Sequence, residues 1–123
     1  MSANANTNAD MNMNLETYLK QTNFKLKLNL PKDEATKLLK VLKNLEQGKD
    51  PYYNLNPKDR GLTVKDFNYF VKVLIRTNEY DRRMSWLRSW VCMMGPLAYK
   101  TVKEALKEAS KDRNSTTTID NFF

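Results

Sequence analysis

The chain has 123 residues, of which 41% are hydrophobic and 28% charged, so it suits one small domain whose core folds without metals or disulfides. It contains one cysteine and no histidine, which excludes an internal disulfide, an ordinary His or Cys metal cage and the usual general base. The formal net charge of +7 favours an anionic partner, either nucleic acid or an acidic membrane surface, although a merely solvated basic surface is the alternative.

The first segment of the chain, residues 1–14, is rich in asparagine and low in complexity, and we predict that it is disordered. It lacks a basic region followed by an apolar one, so a secretory signal is not expected. No apolar stretch of the sequence is long enough to span a bilayer. We therefore expect a protein of the cytoplasm or nucleus, or of an infected host cell, that is not secreted.

A helical domain is predicted for residues 15–112. It begins with a short helix for which Asn14 is a plausible cap. Residues 24–30, FKLKLNL, then alternate apolar and polar side chains, which is typical of a half-buried strand, but no second clear strand exists to pair with them. We predict an extended arm that either lies across helices or pairs with another copy of the chain.

The next helix opens at Pro31 and is ended by Gly48, and the basic residues Lys37, Lys40 and Lys43 line its polar side. Ordinary solvation explains such a face as well as phosphate binding does.

A loop follows, predicted from its prolines and its Asn and Asp residues. Tyr52 and Tyr53 within it either pack under the loop, which we favour, or stand as stacking platforms.

Thr63 caps a strongly apolar helix, the chain bends or continues near Thr77, and Gly95 with Pro96 separates the last two helices. The fold class is therefore mainly α: a small bundle of four to five helices with one extended arm and disordered termini.

An enzyme is not expected. The sequence has no Gly-rich phosphate loop, no HExxH, no CxxC and no GxSxG motif. Its carboxylates have structural explanations, such as Asp66 at a helix cap and Glu104 or Glu108 beside lysines. We predict no cofactor and no metal site.

The stretch RTNEYDRRMSWLRSW most resembles a binding surface, because arginines alternate in it with aromatic residues. On a helix Arg82, Trp86 and Trp90 share one face, where a guanidinium and two indoles can grip phosphates and stack bases. The alternative, slightly favoured, is that both indoles are buried with arginines around them. The predicted nucleic-acid contacts, to DNA or RNA, are Arg76, Arg82, Arg83, Trp86, Arg88 and Trp90, with Lys37, Lys40 and Lys43.

After residue 112 the composition changes to mainly Asn, Ser and Thr. Residues 113–123 are therefore predicted to form a flexible tail that carries an interaction motif. In a 3₁₀ turn Ile119 would lie against Phe122, with Phe123 adjacent, so the tail would present a compact apolar plug to a partner's groove. The alternative is that the plug folds back on its own domain.

The eight residues TTTIDNFF resemble the sliding-clamp-binding peptide called the PIP box. Ile119, Phe122 and Phe123 match its aliphatic and aromatic positions, and Asp120 matches the common acidic residue. Thr116 stands where the family has Gln. The resemblance implies docking to a ring-shaped processivity clamp.

Together these features predict a non-enzymatic, basic accessory protein of replication, repair or transcription. It would bind nucleic acid and dock to a protein partner, a sliding clamp or a similar protein, through its tail. The alternative is a small viral or phage structural protein, matrix-like or nucleocapsid-like, that self-associates on RNA or an anionic membrane.

Overall fold

The computed structural model describes residues 11–111, and this part of the chain is mainly helical. Its helices are α1 Leu15–Gln21, α2 Lys32–Glu46, α3 Val64–Arg76, α4 Tyr80–Val91 and α5 Pro96–Ala109. Between residues 11 and 111 the β-type pairing is limited to one isolated bridge, from Asn14 to Thr63. The predicted small bundle of four to five helices is confirmed.

The chain joins the bundle earlier than predicted. Met11 and Met13 are partly buried against the core. The backbone N–H of Leu15 donates to the carbonyl of Leu62 at 2.7 Å, and that of Val64 donates to the Met13 carbonyl at 3.1 Å. The predicted disorder is therefore wrong for residues 11–14, whose methionines bury apolar surface. The predicted disorder of residues 1–10 and the predicted flexible tail, residues 113–123, lie outside the described residues.

The helices begin and end at the predicted signals. The Asn14 side chain caps α1 by accepting from the Thr17 N–H at 3.1 Å. Thr63 and Asp66 form both hydrogen bonds of a capping box at the start of α3. Gly48 follows α2 with a φ of 68°, a left-handed conformation that glycine adopts without a steric penalty.

The core is built by contacts among all five helices. Helix α2 packs against α4 and α5, α1 packs against α3 and α5, and α3 packs against α4. The largest fully buried side chains include Leu38, Leu42, Phe67, Phe70, Leu74, Leu87, Met94 and Leu106. Each such side chain contributes about 1.5–3 kcal/mol on burial, so these contacts supply the main driving force for folding.

The arm lies across the helices, as one of the two predicted alternatives required. Leu28 is buried, and Phe24, Leu26 and Leu30 are partly buried against the core. The intervening residues 25, 27 and 29 are exposed, so the predicted alternation is present without a paired strand. The apolar side of the arm is turned inward, and two open grooves separate the arm from α5.

Two polar clusters join distant parts of the bundle. Glu16 of α1 accepts hydrogen bonds from the backbone N–H groups of Leu97 at 3.0 Å and Ala98 at 2.7 Å, at the start of α5. Glu46 at the end of α2 accepts from the Tyr99 hydroxyl and from Lys103 Nζ, the latter at 2.7 Å. Burial acts to raise the pKa of Glu46, but these two hydrogen bonds together with the charges of Lys103 and Lys107 outweigh it, and the pKa lies below its ordinary value.

The two loop tyrosines have different environments. Tyr53 packs against the core as predicted. Tyr52 is 86% exposed, so the favoured prediction that it packs under the loop is wrong. The Tyr52 backbone N–H donates to the Asp50 side chain at 3.0 Å, and this turn directs the Tyr52 ring outward.

Candidate nucleic-acid interface

One side of α3 carries a basic stripe. Lys65, Tyr69, Lys72 and Arg76 follow one another at intervals of four, three and four residues, which places them on one face of the helix. All four are exposed, whereas Phe67, Phe70 and Leu74 are buried on the other side. Within residues 11–111 no salt bridge involves these three cations.

The neighbouring helix α4 presents Arg82, Trp86 and Trp90 at successive steps of four residues. Both indoles are partly buried against the core. Trp86 is fixed by its ring N–H, which donates to the Phe70 carbonyl of α3 at 3.1 Å. The indoles therefore pack between the two helices and also border the surface, so neither predicted alternative describes them completely.

Tyr69 joins the two tryptophans in an aromatic cluster. The ring centroids of Trp86 and Trp90 are 5.4 Å apart, and the Tyr69 centroid lies 5.9 Å from Trp86 and 6.4 Å from Trp90. Tyr69 meets Trp86 edge to face, with the ring planes 72° apart, and Tyr69 is 57% exposed. The indoles thus form the base of the cluster, and Tyr69 is its exposed member.

Both helices carry exposed cations near the aromatic cluster. Lys65, Lys72 and Arg76 lie beside Tyr69 on α3, and Arg82 precedes Trp86 by one turn on α4. The Arg82 side chain is 74% exposed, and its nearest carboxylate, Glu79, is 4.0 Å away, at the limit of an ion pair. We call the four cations and three rings the α3–α4 face.

Arg83 is not available for the phosphate contact predicted from the sequence. Only 5% of the residue is exposed. Its guanidinium donates to the carbonyls of Leu74 at 2.9 Å, Ile75 at 3.3 Å and Thr77, and it forms an ion pair with Glu34 of α2. Burial lowers the pKa of Arg83 from its ordinary value. This side chain satisfies carbonyls at the C-terminal end of α3 and is structural.

The remaining predicted cations lie apart from the aromatic cluster. Arg88 is paired with Asp50 of the loop, with Nε 2.7 Å from Oδ2, and the geometry is that of an ion pair without a hydrogen bond. Lys37, Lys40 and Lys43 are exposed on α2, and Lys37 Nζ lies 5.1 Å from the centroid of the Tyr80 ring. Their predicted phosphate contacts stay predictions.

Three members of the α3–α4 face were not predicted. Lys65, Tyr69 and Lys72 are each visible in the sequence as exposed positions of an amphipathic helix. The regular spacing of these three residues with Arg76 is the sequence signal that could have identified them. Their position beside the tryptophans follows only from the packing of α3 on α4.

Comparison with protein-family models, with curated proteins and with solved structures gives no match. In the described part of the chain no helix is both long enough and apolar enough to cross a membrane. Likewise, residues 11–111 contain no group of three Cys, Asp or Glu residues that could hold a metal ion. The predicted tail contacts, Thr116, Ile119, Asp120, Phe122 and Phe123, lie outside the described residues.

Proposed function

We propose that this protein is a non-enzymatic, basic accessory protein of replication, repair or transcription that binds nucleic acid through the α3–α4 face. The observation that carries the proposal is the presence of four exposed cations on the same two helices as three clustered aromatic rings. The protein would act in the cytoplasm or nucleus, or inside an infected host cell.

The electrostatics of the α3–α4 face support phosphate as the ligand. Lysine and arginine side chains that bind phosphates release condensed counterions from the nucleic acid, which provides affinity without sequence recognition. Cations already paired with carboxylates would first have to give up those partners. Arg82 has only a distant carboxylate, and within residues 11–111 the α3 cations have no salt bridge, so they are free to bind.

The environment of Cys92, the most nucleophilic side chain of the protein, also favours a binding role over catalysis. Burial raises the pKa of the Cys92 thiol, and the charge of Asp50 raises it further. Without a histidine in the sequence, no imidazole can take the thiol proton. The Asp66 carboxylate is occupied in the α3 capping box.

The test removes charge from the proposed face and from a matched control. Replacing Lys65, Lys72 and Arg76 with Gln should weaken binding to DNA or RNA and reduce the slope of log affinity against log salt by about 2 to 3. The control variant replaces Lys20, Lys25 and Lys27 with Gln, which makes the same change in net charge at exposed residues of α1 and the arm that are not predicted phosphate contacts. Fluorescence anisotropy over a salt series measures both slopes.

Two results would contradict the proposal. Equal losses from the two variants would mean that binding follows net charge and not the α3–α4 face. Binding of the unmodified protein to anionic vesicles, with none to DNA or RNA at low salt, would instead favour the matrix-like interpretation. Assembly through the arm is less favoured because its Leu28 side chain is buried within its own chain.

The tail would supply the second contact, with a protein partner. A peptide of residues 113–123 should bind a sliding clamp, and Phe122→Ala or Phe123→Ala should abolish binding because each removes an apolar anchor. Thr116→Gln should strengthen binding by restoring the polar residue of the PIP box. Isothermal titration against the clamp measures these differences, and an unchanged affinity for the Phe variants would exclude the motif.

A further inference from the structure

We infer that the α3–α4 face is built for single-stranded nucleic acid and that Tyr69 is the residue on which an unpaired base stacks. The inference rests on the proposed function and specifies its substrate class. It depends on the exposure of Tyr69, on what holds its ring, and on the placement of the cations around it.

Tyr69 combines exposure with a fixed position. It is 57% exposed, yet its ring contacts both Trp86 and Trp90. Trp86 is itself held by the hydrogen bond to the Phe70 carbonyl, and the Trp90 ring lies 5.6 Å from the Phe70 ring. A ring held in this way loses little side-chain freedom when a base stacks on it, so most of the stacking energy is retained as affinity.

The exposed ring favours a single strand for a geometric reason. In a duplex each base face is covered by its neighbours in the stack, so only an unpaired or extruded base can offer a face to Tyr69. Tyrosine adds no charge for phosphate binding, and its exposed aromatic surface contributes nothing to a contact made only with a duplex backbone. The aromatic cluster therefore has a use with single strands that it lacks with duplexes.

The cations are placed to follow a backbone past the stacked base. Lys65 and Arg76 are eleven residues apart on α3, which corresponds to about 16 Å along the helix axis. A strand within duplex DNA has one phosphate per about 3.4 Å of helix axis, and an extended single strand has fewer over the same length, so the stripe spans a few consecutive phosphates. Arg82 lies on α4 one turn before Trp86, at the end of the helix pair where the neighbouring Arg83 contacts the carbonyls of Leu74 and Thr77, so it extends the charge at the Arg76 end of the face.

The experiment compares one DNA strand with the same strand annealed to its complement, using the full chain at low salt. We expect the single strand to bind at least about tenfold more tightly, and Tyr69→Ala to reduce its affinity by about five- to a hundredfold. Tyr69→Phe should keep the affinity, because it retains the ring. Tyr52, which is 86% exposed in the loop, is the competing candidate for stacking, so a loss of affinity from Tyr52→Ala but not from Tyr69→Ala would overturn the inference.

A second measurement needs no variant. Trp86 and Trp90 are the two tryptophans of the chain, and both lie in the aromatic cluster, so a bound single strand should change the tryptophan fluorescence more than the duplex does. Equal or tighter binding of the duplex, with no effect of Tyr69→Ala, would overturn the inference and leave the proposed function standing. Failure of both oligonucleotides to bind at low salt would overturn the proposed function as well.

Discussion

Replacing Arg83 with Met should lower the free energy of unfolding by about 3 kcal/mol, a large loss for a change that keeps an apolar side chain at this position. The guanidinium satisfies three carbonyls at the C-terminal end of α3 and pairs with Glu34 of α2. Met retains much of the apolar stem but supplies no donor. The buried carbonyls would then lack partners, and Glu34 would lose its cation.

The control for this prediction is the adjacent residue. Arg82→Met removes the same charge from the same helix, but the Arg82 side chain is 74% exposed and only loosely paired. Its effect on stability should stay within about 0.5 kcal/mol. Urea denaturation of both variants measures the difference. Similar losses for the two variants would show that the Arg83 hydrogen bonds contribute little, contrary to the prediction.

Arg83 also shows where prediction from the sequence ends. The sequence places Arg82 and Arg83 in one basic stretch, and nothing local separates them. Their roles diverge because α4 rotates Arg83 toward the end of α3, where carbonyls need donors, and rotates Arg82 toward solvent. The ion pair with Glu34 joins residues far apart in sequence, so only the packed bundle brings them together.

Local signals predicted the secondary structure better than they predicted the candidate site. The Thr63 cap and the Gly48 terminus depend on neighbouring residues, and both lie where expected. The arm was predicted from alternation, which directly reflects which side chains face the core. The aromatic cluster depends instead on the register of α3 against α4, and that register places Tyr69 beside Trp86 and Trp90.

The packing of α3 against α4 matters both for the stability of the bundle and for the proposed function. The hydrogen bonds of Arg83 to the end of α3 and of Trp86 to the Phe70 carbonyl both connect the two helices. The α3–α4 face exists only while these helices stay in register. A variant weakened at Arg83 should therefore bind nucleic acid less well even where it remains folded, although Arg83 itself touches no ligand in the proposal.

The second large effect concerns Gly95, which precedes α5. Gly95→Ala should lower the free energy of unfolding by about 2 kcal/mol. A Cβ atom at this position would clash with Cδ of Glu16 and lie 2.6 Å from its Cγ. The Glu16 side chain would have to move away, and the N–H groups of Leu97 and Ala98 would lose their shared carboxylate.

The carboxylate matters because α5 has no acidic residue in its own first turn. Glu16 of α1 supplies the negative charge that stabilises the N-terminal end of α5, and its hydrogen bonds satisfy two N–H groups that have no partner within the helix. Gly95 is the N-cap of α5, where alanine is less favourable than glycine, but at its φ of −73° alanine also reduces the entropy of the unfolded chain, so these two effects oppose each other. A loss of about 2 kcal/mol would therefore report the contact with Glu16.

A double-mutant cycle tests this explanation. In a Glu16→Ala background the Cβ at residue 95 meets no carboxylate, so Gly95→Ala should become neutral or slightly stabilising. Thermal or urea unfolding of the four proteins gives the coupling free energy between the two positions. A loss of about 2 kcal/mol from Gly95→Ala in both backgrounds would place its cause in the backbone of residue 95 and not in the displacement of Glu16.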